Sequence, residues 1–246
     1  MRVFEYEGNK VIDKEYLYKA LNLDLSGKYV ISFVGGGGKT SSIYKLSCEL
    51  AILGKKVIVT TTTHMQMPKD KVVLNDNIDE INDILEKNNF VTVGIKAKGD
   101  KITSVSEEGV RELSKICDFL LIEADGAKML PLKAPEDHEP VILSITNMVV
   151  GICGIDALGK KINETCHRAN IVSKLLNKEI SSIIDTDDIS YILSSKDGTM
   201  KNVNKDIMEY RVIINKVDDG NLLDKAVVIV KKLKNKNIKA IMTSYY

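Results

Sequence analysis

Four consecutive glycines followed by lysine and threonine, at Gly35–Thr40, join an apolar segment to a helix-forming one. Glycine lets successive backbone N–H groups turn inward around an anion, because no side chain stands in the way. A lysine directly after such a loop supplies a positive charge, and a threonine hydroxyl next to it can ligate Mg²⁺. The start of the helix adds the positive end of its dipole. The segment therefore predicts a phosphate-binding loop between a strand and a helix.

The loop matches only the second half of the phosphate-loop pattern G-x-x-x-x-G-K-[ST], since Phe33 stands where the pattern has its first glycine. A flexible glycine-rich turn is the alternative, and the Lys-Thr ending together with the flanking strand and helix favours phosphate. The candidate nucleotide-binding residues are Gly35, Gly36, Gly37, Gly38, Lys39, Thr40 and Ser41. Lys39 is also a candidate catalytic residue, and Thr40 a candidate Mg²⁺ ligand.

The rest of the chain alternates strand-like and helix-like segments. We predict strands at 29–34, 56–61, 90–94, 118–123, 147–152, 209–215 and 239–244, and helices at 40–53, 78–87, 106–116, 164–176 and 222–234. This alternation is typical of an α/β fold with three layers, in which a mainly parallel sheet lies between helices. Residues 28–246 are predicted to form this domain. Residues 1–27 are predicted to form a small N-terminal extension, with an extended segment at 2–6 and a short helix from Asp13 to about Leu21.

Charge and composition narrow the class of protein. The 35 Lys and Arg residues nearly balance 34 Asp and Glu residues, so no overall field attracts nucleic acid or an acidic membrane. No apolar run approaches the ~20 residues that span a bilayer, and the first residues lack a signal-peptide pattern. We therefore expect a cytoplasmic protein with no nucleic acid or membrane partner. The four cysteines form no C-x-x-C pair, which argues against a disulfide framework or a zinc ribbon.

Two carboxylates lie at the end of the predicted strand 118–123: Glu123 is its last residue, and Asp125 follows two residues later. They fall at the carboxyl end of a parallel strand, where ligands of α/β proteins bind. This resembles a Walker B motif, in which one carboxylate holds Mg²⁺ and a second can orient the attacking water. Both residues are candidate catalytic residues and Mg²⁺ ligands, and the sequence leaves open which has which role. An acidic turn that merely ends the strand is the alternative.

A second motif, Asn215-Lys216-Val217-Asp218, follows the apolar strand 209–215. A carboxylate at Asp218 can accept hydrogen bonds from the N1–H and the exocyclic amine of guanine, a pair of donors that adenine lacks. The stem of Lys216 would cover the face of the base, Asn215 would tie this loop to the phosphate loop, and the backbone at Ser244 would meet the guanine carbonyl. The motif predicts GTP in preference to ATP.

Threonines and prolines mark two further segments. Thr62, Thr63 and His64 follow the second predicted strand, where they could contact phosphate or Mg²⁺-bound water. His64 could also be a base or a metal ligand, and a surface histidine is the favoured alternative. The segment 126–139 contains prolines that forbid long regular structure, so we expect an ordered loop beside the site.

Taken together, these motifs are similar to those of the YqeC family of selenium-dependent hydroxylase accessory proteins. The segments that carry the resemblance are Phe33–Thr40, Val57–His64, Leu121–Lys133 with Ala134-Pro135, Glu139-Pro140-Val141, Gly151–Gly159 and Asn215–Asp218. They extend over nearly all of the chain.

The resemblance implies a P-loop NTPase domain and a role in maturing molybdenum hydroxylases that carry a selenium-containing cofactor. A molybdenum hydroxylase or another selenium-cofactor maturation protein is the implied partner, and Lys133 and Arg168 look like site residues of the family. Val34 stands where partition-type ATPases have an additional lysine, which argues against an ATPase completed by a partner's lysine. Cys153 is the cysteine to examine for selenium chemistry, although a buried structural thiol is favoured.

We therefore expect Mg²⁺-dependent binding and hydrolysis of a nucleoside triphosphate, GTP or ATP. Two alternatives remain: a non-catalytic nucleotide-dependent adaptor, and a small-molecule kinase that would use Thr62, His64 or Lys133 in an acceptor pocket.

Overall fold

A ten-stranded sheet forms the centre of the computed structural model, which describes residues 1–245. Its strands, in spatial order, are β2 (Lys10–Lys14), β1 (Arg2–Glu7), β15 (Lys239–Ser244), β14 (Glu209–Asn215), β12 (Met148–Gly154), β3 (Tyr29–Gly35), β10 (Phe119–Glu123), β4 (Val57–Thr61), β7 (Phe90–Val93) and β6 (Val72–Val73). Every neighbouring pair from β15 to β6 is parallel, and β1 and β2 add two antiparallel strands beside β15. The mainly parallel α/β sheet predicted from the sequence is thus confirmed.

Helices cover both faces of this sheet. They are α1 (Leu17–Ala20), α2 (Lys39–Ile52), α3 (Ile78–Asn88), α4 (Glu107–Ile116), α5 (Ile162–Thr165), α6 (Ala169–Leu176), α7 (Thr186–Ser194) and α8 (Gly220–Lys234). Helices α1 and α2 pack on one face against alternate residues of the central strands, such as Ile31 and Leu121. Helices α3 and α4 pack on the other face against Leu120, and α7 and α8 pack there against Val212 and Ile214. Burial on both faces explains why the central strands are continuously apolar.

Most predicted elements agree with the structure to within about two residues, but the N-terminal helix was wrong. Asp13 lies in β2, where its carboxylate accepts a hydrogen bond from Arg2 at 2.8 Å, and the helix is only the short α1. The reason is a tight turn at Gly8 and Asn9, both with positive φ, which folds the chain back into a hairpin.

The predicted helix 164–176 is interrupted. Residues Ile162–Thr165 form α5, Cys166–His167 form the short strand β13, and only Ala169–Leu176 form α6. Strand β13 pairs with β11 (Leu132–Lys133), and Arg168 adopts a left-handed conformation with φ of 60°. The pairing of β13 with β11, which lies in the 126–139 segment, therefore interrupts the predicted helix at residues 166–168.

Helix α7 and a small second sheet are among the elements that were not predicted. Helix α7 begins with a reciprocal cap in which Asp185 and Asp188 each bond the other's backbone N–H. A separate antiparallel sheet contains β5 (His64–Gln66), β9 (Lys101–Thr103) and β8 (Ile95–Lys96). Within residues 1–245, no helix combines the length and the apolar character needed to cross a bilayer.

Candidate functional site

The predicted site residues meet at the carboxyl edge of the parallel sheet. After β3 the chain continues through α2 to β4 on one side, whereas β12, β14 and β15 follow on the other side. Such a reversal of strand order opens a crevice beyond the carboxyl ends of the strands. The glycine loop at the end of β3 lies at this reversal, between the end of β10, with its acidic residues, and the ends of β12 and β14.

The glycine loop is packed tightly against its neighbours. Gly37 and Gly38 have φ of 78° and 130°, which side chains rarely adopt. A Cβ at Gly37 would lie 2.2 Å from the backbone nitrogen of Gly154, and one at Gly38 would lie 2.1 Å from Nδ2 of Asn215. The glycines are therefore required by close packing as well as by any space that a phosphate would need.

Protein acceptors bind three of the loop's N–H groups in this structure. Gly36 donates to the carbonyl of Ile152 at 2.9 Å, and Gly37 donates to the carbonyl of Leu130 at 3.0 Å. Gly35 donates to both carboxylate oxygens of Asp125, at 3.2 and 3.0 Å. The N–H groups available to an anion are thus those at the start of α2, which lack acceptors within the helix.

Lys39 is buried, with 5% of its surface exposed, and points back into the loop. Its Nζ donates to the carbonyl of Gly35 at 2.6 Å and lies 3.2 Å from Oδ1 of Asp125. The other oxygen of Asp125 lies 3.0 Å from Nζ of Lys133, which is 1% exposed. One buried carboxylate is therefore shared by two buried lysines, an arrangement that needs each charge to be paired.

The charges continue from Lys133 to Arg168. Lys133 Nζ lies 2.6 Å from Oε2 of Glu139. Arg168 binds the same carboxylate with its two terminal nitrogens: Nη1 donates to Oε2, and Nη2 donates to Oε1 at 3.0 Å. Arg168 Nε also lies 2.7 Å from Glu136. Although burial opposes ionisation of Glu139, the hydrogen bonds from Arg168 and Lys133 outweigh it and lower the pKa of Glu139 to about 2. We call Lys39, Asp125, Lys133, Glu139 and Arg168 the charged chain.

Glu123 and Thr40 form a separate contact. The Thr40 hydroxyl donates to Oε2 of Glu123 at 2.7 Å, whereas the contacts of Asp125 are to the lysines and Gly35. Burial raises the pKa of Glu123, and the charge of Lys39 and the Thr40 hydrogen bond only partly offset it. A hydroxyl and a carboxylate side by side fit Mg²⁺, which prefers oxygen ligands and keeps several waters and phosphate oxygens. Across the described residues, no cluster of three or more His, Cys, Asp or Glu side chains is placed to hold a metal ion.

The loop after β14 is tied to the glycine loop, as the sequence predicted. Asn215 is fully buried, and its Nδ2 donates to the carbonyl of Gly37 at 2.8 Å while its Oδ1 accepts from Thr243 at 2.8 Å. Asp218 accepts hydrogen bonds from the Ser244 hydroxyl at 2.7 Å and from the Tyr245 N–H at 3.1 Å. Asp218, in the loop after β14, and Ser244, at the end of β15, are therefore held together.

Lys216 lies beside this loop with its backbone in the left-handed region. Its Nζ forms an ion pair at 2.8 Å with Asp156, which follows β12. Asp156 was not among the predicted site residues, nor was Glu139. Asp156 could have been suspected because it lies two residues after the apolar strand β12, at the same edge of the sheet. Glu139 follows no strand, and only the family resemblance of its segment singles it out.

The remaining candidate residues take no part in the side-chain contacts described above. Ser41 and His64 are exposed, and the Thr62 hydroxyl donates to the carbonyl of Val141 at 2.9 Å. Cys153 is fully buried, and burial raises the pKa of its thiol, so a structural role fits its environment. A cavity of about 480 Å³ lies at the opposite edge of the sheet, beside Tyr29, Asn147 and Glu209 at the starts of strands, and contains none of the candidates.

Comparison with known proteins identifies the family. The family model described as YqeC protein matches residues 31–170, which include the glycine loop, Glu123, Asp125 and the whole charged chain. The chain belongs to the YqeC family. It is 32% identical over 199 residues to a protein from Escherichia coli (strain K12) named "Uncharacterized protein YqeC", and the match covers 75% of this chain and 76% of that relative. The loop after β14 lies outside the residues that the family model matches.

Proposed function

We propose that this YqeC protein is a P-loop NTPase that binds and hydrolyses a nucleoside triphosphate with Mg²⁺, and that it prefers GTP to ATP. The strand order β4-β10-β3-β12-β14-β15 supports this, because the residues that we propose to bind phosphate, metal and base then all follow strands at one edge of the sheet. The observation that carries the proposal is the hydrogen bond between Asn215 and Gly37. It joins the loop suited to a phosphate to the loop suited to guanine.

Each group of residues has a part in this proposal. Lys39 and the N–H groups at the start of α2 would bind the phosphates, and Asp218 would read the base. Thr40 and Glu123 would hold Mg²⁺, which neutralises charge on the phosphates when bound. The contacts of Asp125 favour a role in closing the loop over direct metal ligation.

Calorimetry with GTP and ATP in the presence of Mg²⁺ tests the binding. We expect binding of both nucleotides, with GTP the tighter, and loss of binding in Lys39→Ala. Lys234→Ala is the matched control, because Lys234 is an exposed lysine at the far end of α8 and should leave the affinity unchanged. Unaltered GTP binding by Lys39→Ala would refute the phosphate-loop assignment.

A non-catalytic adaptor is the second candidate. It is favoured by the closed state of the loop, in which Gly35 and Lys39 are already bonded within the protein, so that binding would require a rearrangement. Phosphate release in a single turnover separates the two candidates. Intact GTP after prolonged incubation with Mg²⁺ would support the adaptor, and release of one phosphate per site would support the hydrolase.

We further propose that nucleotide binding serves the maturation of a selenium-dependent molybdenum hydroxylase. This step rests on the family resemblance, and the hydroxylase or another selenium-cofactor maturation protein is the expected partner. Deletion of the coding sequence should lower the activity and selenium content of such a hydroxylase in the same cells. Wild-type protein should restore both, and Lys39→Ala should not. Unchanged selenium content after deletion would exclude this role.

A further inference from the structure

Asp125 binds two donors of the glycine loop, the Gly35 N–H and the ammonium group of Lys39. Both of its oxygens accept the Gly35 N–H, at 3.2 and 3.0 Å, and Oδ1 lies 3.2 Å from Nζ of Lys39. A backbone N–H and a lysine are the donors that phosphate loops offer to phosphate. Asp125 is only 2% exposed, so this contact is made away from water.

We propose that Asp125 is an internal anion that closes the glycine loop, and that a phosphate must compete with it for Lys39. This inference rests on the proposed nucleotide binding and adds a regulatory contact to it. The apparent affinity of the loop for phosphate is then reduced by the fraction of molecules in which Asp125 holds Lys39.

Lys133 makes this exchange possible at low cost. A buried carboxylate that loses its cation is strongly destabilised, so Asp125 cannot simply release Lys39. Lys133 Nζ already lies 3.0 Å from the other oxygen of Asp125, and it is fixed by Glu139 at 2.6 Å and by the carbonyl of Gly126 at 2.7 Å. When Lys39 turns to a phosphate, Asp125 keeps Lys133 as its partner and no buried charge is left unpaired.

The same contacts connect the loop to α6. Glu139 joins Lys133 to Arg168, the residue directly before α6, whose left-handed backbone sets the start of that helix. A shift of Asp125 toward Lys133 therefore reaches the beginning of α6 through the buried Lys133 and Glu139 and the partly buried Arg168. Phosphate binding is expected to change the stability of that helix start.

Two variants with opposite expected effects test the proposal. Asp125→Asn removes the competing charge, so affinity for inorganic tripolyphosphate and for GTP, measured by calorimetry in EDTA, should rise by roughly fivefold or more. Lys133→Met removes the cation that retains Asp125, so the same affinities should fall by a comparable factor. EDTA separates these effects from any role of Asp125 in binding Mg²⁺. Asp206→Asn, which alters an exposed aspartate at the other edge of the sheet, is the control and should change neither affinity.

The outcomes distinguish this inference from the proposed function. Absence of binding by the wild type and by both variants, in EDTA and again with Mg²⁺, would refute the nucleotide site itself, and the inference with it. Binding by the wild type that is unchanged or weaker in Asp125→Asn would overturn the internal anion alone. Circular dichroism shows whether each variant folds. If either variant does not fold, hydrogen exchange of the wild type tests the expected coupling between the glycine loop and α6. Tripolyphosphate should alter amide exchange at Ala169–Leu176, and no change there would overturn the inference.

Discussion

Nδ2 of Asn215 lies 2.8 Å from the carbonyl oxygen of Gly37, although 178 positions separate the two residues in the sequence. The amide also accepts a hydrogen bond from Thr243, so one fully buried side chain joins the loops that follow β3 and β14 to strand β15. Its amide oxygen and nitrogen have different partners, which fixes the orientation of the group. The relative position of the two candidate ligand-binding loops is therefore built into the fold.

Replacement of Asn215 by alanine should destabilise the protein by about 1–3 kcal/mol, because the Gly37 carbonyl and the Thr243 hydroxyl would lose a buried partner. Urea denaturation followed by circular dichroism measures this change. Asn163→Ala, at an exposed position in α5, should alter the unfolding free energy by less than about 0.5 kcal/mol. Equal stability of the two variants would contradict a linking role for Asn215.

Replacement of Asp218 by asparagine should change which base is preferred. In the proposed site the carboxylate would accept two donors of guanine, whereas an amide offers one acceptor and one donor group and suits the carbonyl of xanthine. We expect weaker binding of GTP and tighter binding of xanthosine triphosphate in calorimetry. A variant that keeps the wild-type order of the two nucleotides would show that Asp218 does not read the base.

Glu123→Gln should stabilise the ligand-free protein. Because the folded protein raises the pKa of Glu123, its ionised form is unfavourable in the fold at neutral pH. Neutral glutamine removes that cost and still accepts the Thr40 hydrogen bond, so we expect a gain of roughly 0.5–2 kcal/mol at pH 7. The gain should shrink as the pH falls and the wild-type carboxyl takes up a proton. A lower melting temperature for the variant at pH 7 would argue against this electrostatic strain.

Glu139→Gln should have the opposite effect on stability. The folded protein lowers the pKa of Glu139 from 4.5 to about 2, so its ionised form stabilises the fold above pH 4.5. That contribution is lost as the pH falls from about 4.5 to about 2. The variant should be less stable at pH 7 by roughly 1–3 kcal/mol, and its stability should depend less on pH in that window. Denaturation midpoints across this pH range measure both effects, with Glu179→Gln, an exposed position, as the control.

The sequence was sufficient for the parallel strands, because burial on both faces leaves continuous apolar runs such as 119–122. It also placed Glu123 and Asp125 at the correct edge of the sheet. It could not separate their contacts, since only the path of the 126–139 loop brings Lys133 to Asp125 and leaves Glu123 to Thr40. Strands of two residues, such as Leu132–Lys133, have no periodicity to detect.

Two other errors had signals that were available. The Gly8-Asn9 pair between the segments 2–7 and 10–14 is typical of a hairpin turn, and Asp185 three residues before Asp188 is typical of a helix start. In both places the element is marked by its polar turn or cap residues and not by a long apolar run. Short elements that are marked only by turn or cap residues are therefore harder to predict than long elements with a continuous apolar pattern.

The hairpin of β1 and β2 also protects the fold against self-association. Without β1, strand β15 would expose a long apolar edge whose unpaired backbone groups can recruit a strand from another molecule. With the hairpin present, the outermost strand at this edge of the sheet is β2, which carries Lys10, Asp13 and Lys14. Charged residues on an edge strand resist such pairing. Shortening the chain at its first residues would therefore be expected to cost solubility, and the strand left open would be the one that ends beside Asp218.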